Sequence, residues 1–230
     1  MIFSGIVKSS LIDYPGKIST VLFTPGCNYN CFYCHNRALI EDLSEHLDSS
    51  LLHEFLLKRQ GVIDGIVISG GEPTLHYDLP DFLKYLKNLG YQTKLDTNGS
   101  NPDVLKELLE ASLLDYVAID YKAPKARYVE ICGENADALS VLESIQILLD
   151  SSIPFEIRTT VIPQLSLDDL ITMAKELPII PRYVLNPYRK PLRYAKEHQL
   201  LIDEPPYPEK QIAEYAEIMK LYQPNVVLMF

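Results

Sequence analysis

The sequence predicts an α/β fold built around a parallel sheet, as a barrel or partial barrel with one functional site. Short apolar runs with the two-residue period of strands alternate along the chain with segments of helical spacing, which is typical of parallel βαβ units. Polar and glycine-rich signatures also follow several of the strands. In such folds the βα loops converge on one site at the carboxyl ends of the strands.

The predicted elements follow from these patterns. The strands are residues 2–7, 18–23, 65–69, 92–96, 116–120, 155–161, 183–185 and 226–229. The helices carry an apolar face or a capping signal, such as Asp78 before the second helix and Gly90 after it. They are residues 51–59, 79–89, 104–109, 138–149, 167–176 and 208–221.

The composition is that of a globular protein. The chain has 230 residues, of which 47% are apolar, and this content excludes intrinsic disorder. No apolar run approaches roughly 18 residues, the length that a membrane-spanning helix needs, so no membrane partner is expected. Residues 1–10 lack the basic start, apolar stretch and cleavage site of a signal peptide. A cytoplasmic location is predicted.

The chain is acidic, with 21 basic against 31 acidic residues and a net charge of −10. Because nucleic-acid binding needs a basic surface, no nucleic-acid partner is expected. One run of basic side chains departs from this balance, since no acid interrupts it. It consists of Arg182, Arg189, Lys190, Arg193 and Lys196. The run is either a solvated loop or a docking surface for a partner or an anionic ligand.

Three of the four cysteines, Cys27, Cys31 and Cys34, lie in one short loop, and Cys132 is remote in sequence. Without an export signal, such a cluster suggests metal or redox chemistry rather than a disulfide framework. A c-type haem attachment would require export. A structural zinc site usually uses two separated pairs of ligands. A thioredoxin-like dithiol would leave Cys27 unexplained.

An iron–sulfur cluster accounts for all three cysteines of the loop. Thiolates are its usual ligands, commonly four to a cubane, so three thiolates leave one iron without a protein ligand. An open coordination position is where an exogenous molecule can bind and react. Cys132, expected on a loop between a strand and a helix, cannot supply a second ligand group, so a single cluster is predicted.

The cysteine loop resembles that of the radical S-adenosylmethionine (SAM) superfamily, with C-x3-C-x2-C spacing and Tyr33 before the last cysteine. Gly70-Gly71-Glu72-Pro73, one strand later, resembles the same superfamily. Further segments resemble the activating enzymes of glycyl radical enzymes: residues 10–16, 34–36, 96–99, 120–122 and 158–163. The pattern is most similar to activating proteins of anaerobic ribonucleoside-triphosphate reductase, which are relatives of pyruvate formate-lyase activating enzyme.

The resemblance implies a partial (β/α)6 TIM-like barrel with the cluster loop at the C-terminal strand ends. The chain would be a single radical SAM domain, residues 1–230. Residues 1–17 would be a lead-in with an N-terminal strand, and residues 18–185 the barrel core. Residues 186–230 would add a Pro-rich segment, a helix and a strand.

The resemblance also implies the reaction. A [4Fe–4S] cluster would bind SAM at its open iron and cleave it reductively, and the 5′-deoxyadenosyl radical would take a hydrogen from a glycine of the partner enzyme. The expected partner is anaerobic ribonucleoside-triphosphate reductase, and the expected electron donor is a flavodoxin or ferredoxin. Three alternatives stay open: activation of another glycyl radical enzyme such as pyruvate formate-lyase, a small-molecule substrate as in 7-carboxy-7-deazaguanine synthase, and a zinc-dependent interaction module.

The same resemblance implies roles for individual residues. Cys27, Cys31 and Cys34 would ligate the cluster. The SAM-binding set would be Tyr33, His35, Gly70, Gly71, Glu72, Thr97, Asn98, Asp120, Lys122 and Arg158. A monovalent cation near the SAM carboxylate would be held by Asp96, Thr97 and Asp120. In the alternative interpretation, Asp96 caps a helix and Asp120 pairs with Lys122. The histidine that contacts the ribose in relatives has no counterpart at residues 186–189.

Overall fold

The computed structural model describes residues 1–40 and 45–229. The strands in these residues are β1 (Gly5–Ser10), β2 (Ser19–Thr24), β3 (Gly65–Gly70), β4 (Gln92–Thr97), β5 (Tyr116–Asp120), β6 (Phe155–Val161), β7 (Tyr183–Pro187) and β8 (Val226–Leu228). The helices are α1 (Arg37–Ile40), α2 (Ser49–Lys58), α3 (Leu79–Asn88), α4 (Pro102–Glu110), α5 (Tyr128–Cys132), α6 (Ala138–Asp150), α7 (Leu167–Glu176), α8 (Gln199–Ile202) and α9 (Glu209–Met219). Within the described ranges, no helix is long and apolar enough to cross a membrane.

All eight strands form one sheet in sequence order, from β1 at one edge to β8 at the other. β1 pairs antiparallel with β2, and every later pair is parallel. The predicted α/β fold is confirmed as an open, partial barrel. The six strands predicted for the barrel core are β2 to β7, and the strand predicted for the C-terminal segment is β8, which pairs in parallel with β7 through Tyr183 and Val226.

The start of the chain differs from the prediction. The first strand was expected at residues 2–7 and begins at Gly5, because Phe3 packs into the core against Phe82, with ring centroids 4.9 Å apart. The chain's terminal ammonium lies 2.8 Å from a carboxylate oxygen of Asp78. Asp78 was expected to cap α3 through its side chain, but it forms no such cap bond and pairs with the terminus instead.

The two faces of the sheet carry different side chains, since successive strand residues point to opposite sides. Alternate residues such as Leu22 and Ile66 belong to the large core cluster that includes the buried faces of the helices. On the other face, Val21, Val67 and Tyr116 form a small apolar cluster with Tyr14, which comes from the β1–β2 connection. This cluster lies toward the amino ends of the strands, so the same face is left for polar groups nearer the carboxyl ends.

Candidate active site

A cavity of about 290 Å³ opens at the carboxyl ends of the parallel strands. Its lining is Cys27, Tyr29, Cys31, Tyr33, Cys34, His35, Asn36, Ile40, Ser69, Gly70, Gly71, Asp96, Thr97, Asn98, Asp120, Lys122, Arg158 and Thr160. All of the residues predicted for the site line this cavity except Glu72. Several other lining residues were not predicted, among them Tyr29, Asn36 and Thr160.

The cysteine loop runs from the end of β2 to α1 and is fixed by main-chain hydrogen bonds. Gly26 N donates to Leu39 O at 2.9 Å, and Cys34 N donates to Cys31 O at 3.2 Å. Asn36 Nδ2 donates to Gly70 O at 3.3 Å, which joins the loop to the turn after β3. The three cysteines therefore line one cavity together with Gly70 and Gly71 of the turn after β3, which we call the glycine turn.

The residues after β4 brace the same loop. Asn98 Nδ2 donates to Asn28 Oδ1 at 2.9 Å and lies 3.9 Å from Cys27 Sγ. Asn28 Nδ2 in turn donates to Ser100 Oγ at 2.8 Å. Asn98 was predicted to bind SAM; here it also positions Cys27. Asn28 and Ser100 were missed, although Asn28 follows Cys27 directly in the sequence.

Cys132 lies beside the cysteine loop, although it is far from it in sequence. It is the last residue of α5 rather than part of a loop, which corrects the prediction. Asn30 N donates to Cys132 O at 2.8 Å. Gly133, with φ of +94°, follows at once, and a Cβ there would lie 3.0 Å from Asn30 Cβ.

The glycine turn packs directly on the cysteine loop. A Cβ at Gly71 would lie 1.7 Å from Gly26 O, and a Cβ at Gly70 would lie 2.2 Å from Thr24 N. Gly70 also has φ of +125°, in the region that favours glycine. The sequence pattern predicts that these glycines permit close approach of a ligand. The structure adds a second reason, because any side chain there would collide with the loop's own backbone.

Glu72 is fully buried and does not line the cavity. Its carboxylate accepts hydrogen bonds from Thr74 N at 3.0 Å, Thr74 Oγ1 at 2.6 Å, Thr97 Oγ1 at 2.7 Å and Asn98 N at 2.7 Å. Burial raises the pKa of Glu72, and these bonds oppose that rise. The carboxylate therefore joins the turn after β3 to the end of β4.

Five charged side chains form a row of alternating sign across the inner face of the sheet. Lys94 Nζ lies 2.6 Å from Asp96 Oδ1, and Arg158 Nη1 lies 2.9 Å from Asp96 Oδ2. Arg158 Nε lies 3.0 Å from Asp120 Oδ1, and Lys122 Nζ lies 3.0 Å from Asp120 Oδ2. We call these residues the charged row. Lys94 was missed, although it precedes Asp96 by two positions and so shares its face.

The charged row shifts the pKa values of Asp120 and Lys122. Burial alone would raise the pKa of Asp120, but the positive charges of Arg158 and Lys122 outweigh it and hold the pKa well below its usual range. Burial opposes the charge of Lys122, but Asp120 raises its pKa above the usual value. Arg158 bridges the two carboxylates, where the prediction placed a monovalent cation. The row therefore neutralises Asp96 and Asp120 with the chain's own side chains.

The surroundings of the cysteine loop favour the protonated form of two of its thiols, those of Cys27 and Cys34, when no metal is bound. Burial raises the pKa of Cys27 to about 12 and also raises the pKa of Cys34. The neighbouring Cys132 lowers the pKa of Cys31 against the effect of burial. Because metal ligation needs thiolates, binding at this loop would release protons.

A second cavity of about 290 Å³ lies on the inner face beside the first. Its lining is Ile12, Asp13, Lys94, Glu156, Arg158, Asn186, Pro187, Arg189 and Met229. Arg158 lines both cavities, so the charged row separates them. Arg189, from the basic run, is exposed at this second cavity.

The chain matches the family described as the radical SAM superfamily over residues 21–177, which is more than half of its length. The chain therefore belongs to the radical SAM superfamily, as the cysteine loop predicted. It is 36% identical over 233 residues to a Methanocaldococcus jannaschii protein named "Putative glycyl-radical enzyme activating enzyme", covering 98% of this chain and 94% of that protein. Within the superfamily, it belongs to the glycyl-radical enzyme activating family.

Other similarities agree with this placement. Clostridium pasteurianum pyruvate formate-lyase-activating enzyme is 35% identical over 124 residues, 51% of each chain. Streptococcus suis SuiB bound to S-adenosylmethionine has a TM-score of 0.69 at 17% identity, covering 91% of this chain and 52% of that chain. A domain of pyruvate-formate lyase-activating enzyme from Bacteroides vulgatus has a TM-score of 0.55 at 19% identity, covering 73% of this chain and 99% of that chain. The two structural likenesses concern the fold.

The family implies a [4Fe–4S] cluster and S-adenosylmethionine, and the donor set fits both groups. Three thiols of one loop face a cavity that is also lined by a glycine turn and by charged side chains. Three thiolates suit a cluster with one iron left for another ligand. Lys122 and Arg158 suit an anionic group such as a carboxylate.

Proposed function

We propose that this chain installs a glycyl radical on a partner enzyme, with anaerobic ribonucleoside-triphosphate reductase as the leading candidate. Two observations carry the proposal. A glycyl-radical enzyme activating relative aligns with 98% of the chain, and the cysteine loop, glycine turn and charged row meet at one cavity. Activation of pyruvate formate-lyase is the second candidate, because its activating enzyme aligns with 51% of this chain.

The proposal gives each part of the cavity a task. Cys27, Cys31 and Cys34 would hold the cluster, which supplies the electron for reductive cleavage of S-adenosylmethionine. Gly70 and Gly71 line the cavity with main-chain atoms alone. We assign this turn to the methionyl amino group.

Lys122 and Arg158 keep donors for the carboxylate or ribose of S-adenosylmethionine. Lys122 has three N–H donors and Arg158 has five, and the charged row uses one and two of them. Tyr33 is buried and His35 exposed, and both line the cavity next to Cys34. We assign them to the adenine. Glu72, Thr97 and Asn98 would act on the cofactor through the turn and the loop that they position.

The predicted monovalent cation stays a prediction, and the charged row argues against it. Two close carboxylates repel each other unless they are protonated or bridged by a positive charge. Arg158 already contacts both Asp96 and Asp120. A cation would therefore have to displace the guanidinium or bind beside it.

The second cavity and the basic run suggest how the partner approaches. A glycine in a large protein can reach the first cavity only on an inserted loop. Asn186 and Arg189 line the second cavity, which shares Arg158 with the first. We place the partner's loop along this route. A flavodoxin or ferredoxin as electron donor, and a cytoplasmic location, remain predictions of the same proposal.

The test is anaerobic reconstitution with iron, sulfide, S-adenosylmethionine and a reductant, followed by incubation with each candidate partner. A glycyl radical signal in electron spin resonance on the reductase supports the leading proposal, and a signal only on pyruvate formate-lyase supports the second. The matched controls are Cys31→Ala and a partner in which the radical glycine is alanine. Cleavage of S-adenosylmethionine with no radical on either partner would contradict both and favour a small-molecule substrate.

A further inference from the structure

A further cavity of about 430 Å³ lies beside the cysteine loop, and the proposed reaction gives it no task. We call it the basic groove, because three of its lining side chains are cationic and none is acidic. The lining is Arg37, Leu192, Arg193, Tyr194, Lys196 and Gln199. The groove shares no lining residue with the first or the second cavity, so it is a separate surface of the protein.

The basic groove is attached to the side of the cysteine loop that does not face the first cavity. Arg37 Nη1 donates a hydrogen bond to Asn30 Oδ1 of the loop. The ring of Phe32 packs edge-on against His198, two residues after Lys196, with ring centroids 6.0 Å apart. Neither Asn30 nor Phe32 lines the first cavity, although the three cysteines of the same loop do. One loop therefore separates the thiols from the groove.

The side chains of the groove are suited to a protein surface. Arg193 and Lys196 are exposed, and in residues 1–40 and 45–229 neither forms an ion pair. Leu192, beside them, is 100% exposed, which is unusual for a large apolar side chain unless something covers it. Glu197, the nearest acid in the sequence, does not line the groove. Exposed cations around an apolar side chain fit carboxylates on a partner's surface better than a small anion, which needs an enclosed site.

The charge of the whole chain makes this groove an exception. The net charge is −10, so most of the surface repels an acidic protein. Three cations in one groove reverse that repulsion locally. An acidic partner is thus steered to this place rather than to the rest of the surface.

The proposed reaction requires an electron from outside the chain. Electron transfer between proteins weakens steeply with distance, so the donor has to dock close to the cysteines that hold the cluster. The mouth of the first cavity is blocked while S-adenosylmethionine and the partner's loop occupy it. The other side of the cysteine loop, where the basic groove lies, stays accessible throughout.

We propose that the basic groove docks an acidic electron-carrier protein, which reduces the cluster through the cysteine loop. In this step the carrier loses one electron and the cluster gains it, while no bond forms or breaks and no proton moves. The cations attract the carrier and Leu192 supplies an apolar contact. The inference rests on the proposed function only in that the reaction consumes an electron at this loop.

The first measurement is the dissociation constant of the carrier from the reconstituted protein. The probes are a purified flavodoxin and a purified ferredoxin, both acidic. Lys196→Glu should raise the dissociation constant several-fold at low ionic strength, and added salt should weaken wild-type binding because exposed charges are screened. Lys106→Glu makes the same change in net charge at an exposed position of α4 and should bind like the wild type. Leu192→Ser should weaken binding at low and high salt alike.

The second measurement is electron uptake, followed by the absorbance of the pre-reduced carrier after mixing, without S-adenosylmethionine or partner. Lys196→Glu should slow oxidation of the carrier several-fold at low carrier concentration. Photochemical reduction of the cluster with a deazaflavin should proceed at the wild-type rate, because a small reductant needs no docking surface. Lys196 is chosen over Arg193 because Arg193 lies nearer in the sequence to Arg189, which lines the partner's route.

Several results would overturn the proposal. They are wild-type binding and electron uptake in Lys196→Glu, an equal loss in Lys106→Glu, and a wild-type protein that binds neither carrier. If Lys196→Glu binds both carriers normally but slows glycyl radical formation under photochemical reduction, the groove serves the glycyl radical enzyme and the proposal is wrong.

This test and the test of the proposed function fail separately. Electron uptake needs no partner, so the absence of a glycyl radical leaves it valid. Normal radical formation under photochemical reduction, with unchanged carrier binding in Lys196→Glu, contradicts only the role of the groove. A chain that assembles no cluster contradicts the proposed function, and carrier binding to the iron-free protein still tests the groove.

Discussion

The carboxylate of Glu72 accepts the backbone N–H of Asn98 at 2.7 Å, and this bond joins the turn after β3 to the end of β4 inside the protein. The other carboxylate oxygen accepts three more donors, from Thr74 and Thr97. Glu72 thus affects the cavity indirectly, by joining two of the segments that form it. We expect its replacement to affect the stability of the fold more directly than the reaction.

Glu72→Gln should lower the free energy of unfolding by about 1–3 kcal/mol. The substitution replaces one accepting oxygen with an NH2 group, so at least one buried donor loses its acceptor. The measurement is urea unfolding followed by circular dichroism. Glu134→Gln, at an exposed position, is the control and should cost less than about 0.5 kcal/mol. Equal effects in both variants would show that the buried bonds contribute nothing.

Gly71→Ala should disturb the cysteine loop itself, because the added Cβ would lie 1.7 Å from Gly26 O. We expect a lower iron content after reconstitution as well as weaker S-adenosylmethionine binding. Gly5→Ala is the control, since its Cβ would meet only the side chain of Phe23 at 3.3 Å. Full iron content in Gly71→Ala, with only the cofactor affinity reduced, would contradict the collision with the loop.

The stabilisation that Asp120 supplies should depend on pH. Its pKa in the folded protein is held below the ordinary value of 3.8, so the folded state binds its proton less readily than the unfolded chain. Stability from this group is therefore fully present above about pH 4 and is lost as the pH falls below that value. The difference in unfolding free energy between wild type and Asp120→Asn, measured in urea on iron-free protein, should be larger at pH 6 than at pH 3. The same difference at both pH values would refute the charge pairing.

The basic run should guide the partner. Lys190 pairs with Asp203, whereas Arg189 and Arg193 are exposed, so we assign the docking charge to the two arginines. Arg189→Glu with Arg193→Glu should slow glycyl radical formation on the partner several-fold, and added salt should slow the wild type similarly because exposed charges are screened. S-adenosylmethionine cleavage without partner should be unchanged.

The control for the basic run is Lys106→Glu with Lys210→Glu, which makes the same change in net charge at exposed helix positions elsewhere. If this control slows partner activation as much as the arginine variant, the effect belongs to net charge alone. If neither variant slows it, the run is an ordinary solvated loop.

Much of the site could be predicted because parallel strands bring their carboxyl ends together. Asp96, Asp120 and Arg158 end or lie near the ends of consecutive strands, so local pattern and topology suffice to place them at one cavity. The thiols follow from their spacing within one loop. These predictions need only the direction of each strand and the side on which a residue points.

The rest depends on contacts that no local pattern records. The approach of Cys132 to the cysteine loop at Asn30 is made by α5, a five-residue helix too short to show a period in the sequence. The direction of the Glu72 side chain depends on donors from two separate segments. Asp78 stands at the position of a helix cap, but its carboxylate pairs with the terminal ammonium of Met1 instead. That ammonium carries a full positive charge and so binds a carboxylate more strongly than a neutral backbone N–H does.

The alternation of sign along the charged row has an evolutionary consequence. Asp96 and Asp120 each contact two cations. A neutral substitution at Asp96 would remove the carboxylate partner of the fully buried Lys94, and one at Asp120 would remove that of Lys122. Either change would leave Arg158 with one carboxylate instead of two. Single changes within the row are therefore costly, while concerted changes that keep the total charge are not. Among homologues, we expect substitutions at positions 94, 96, 120, 122 and 158 to be correlated with one another, even where the surrounding sequence has diverged.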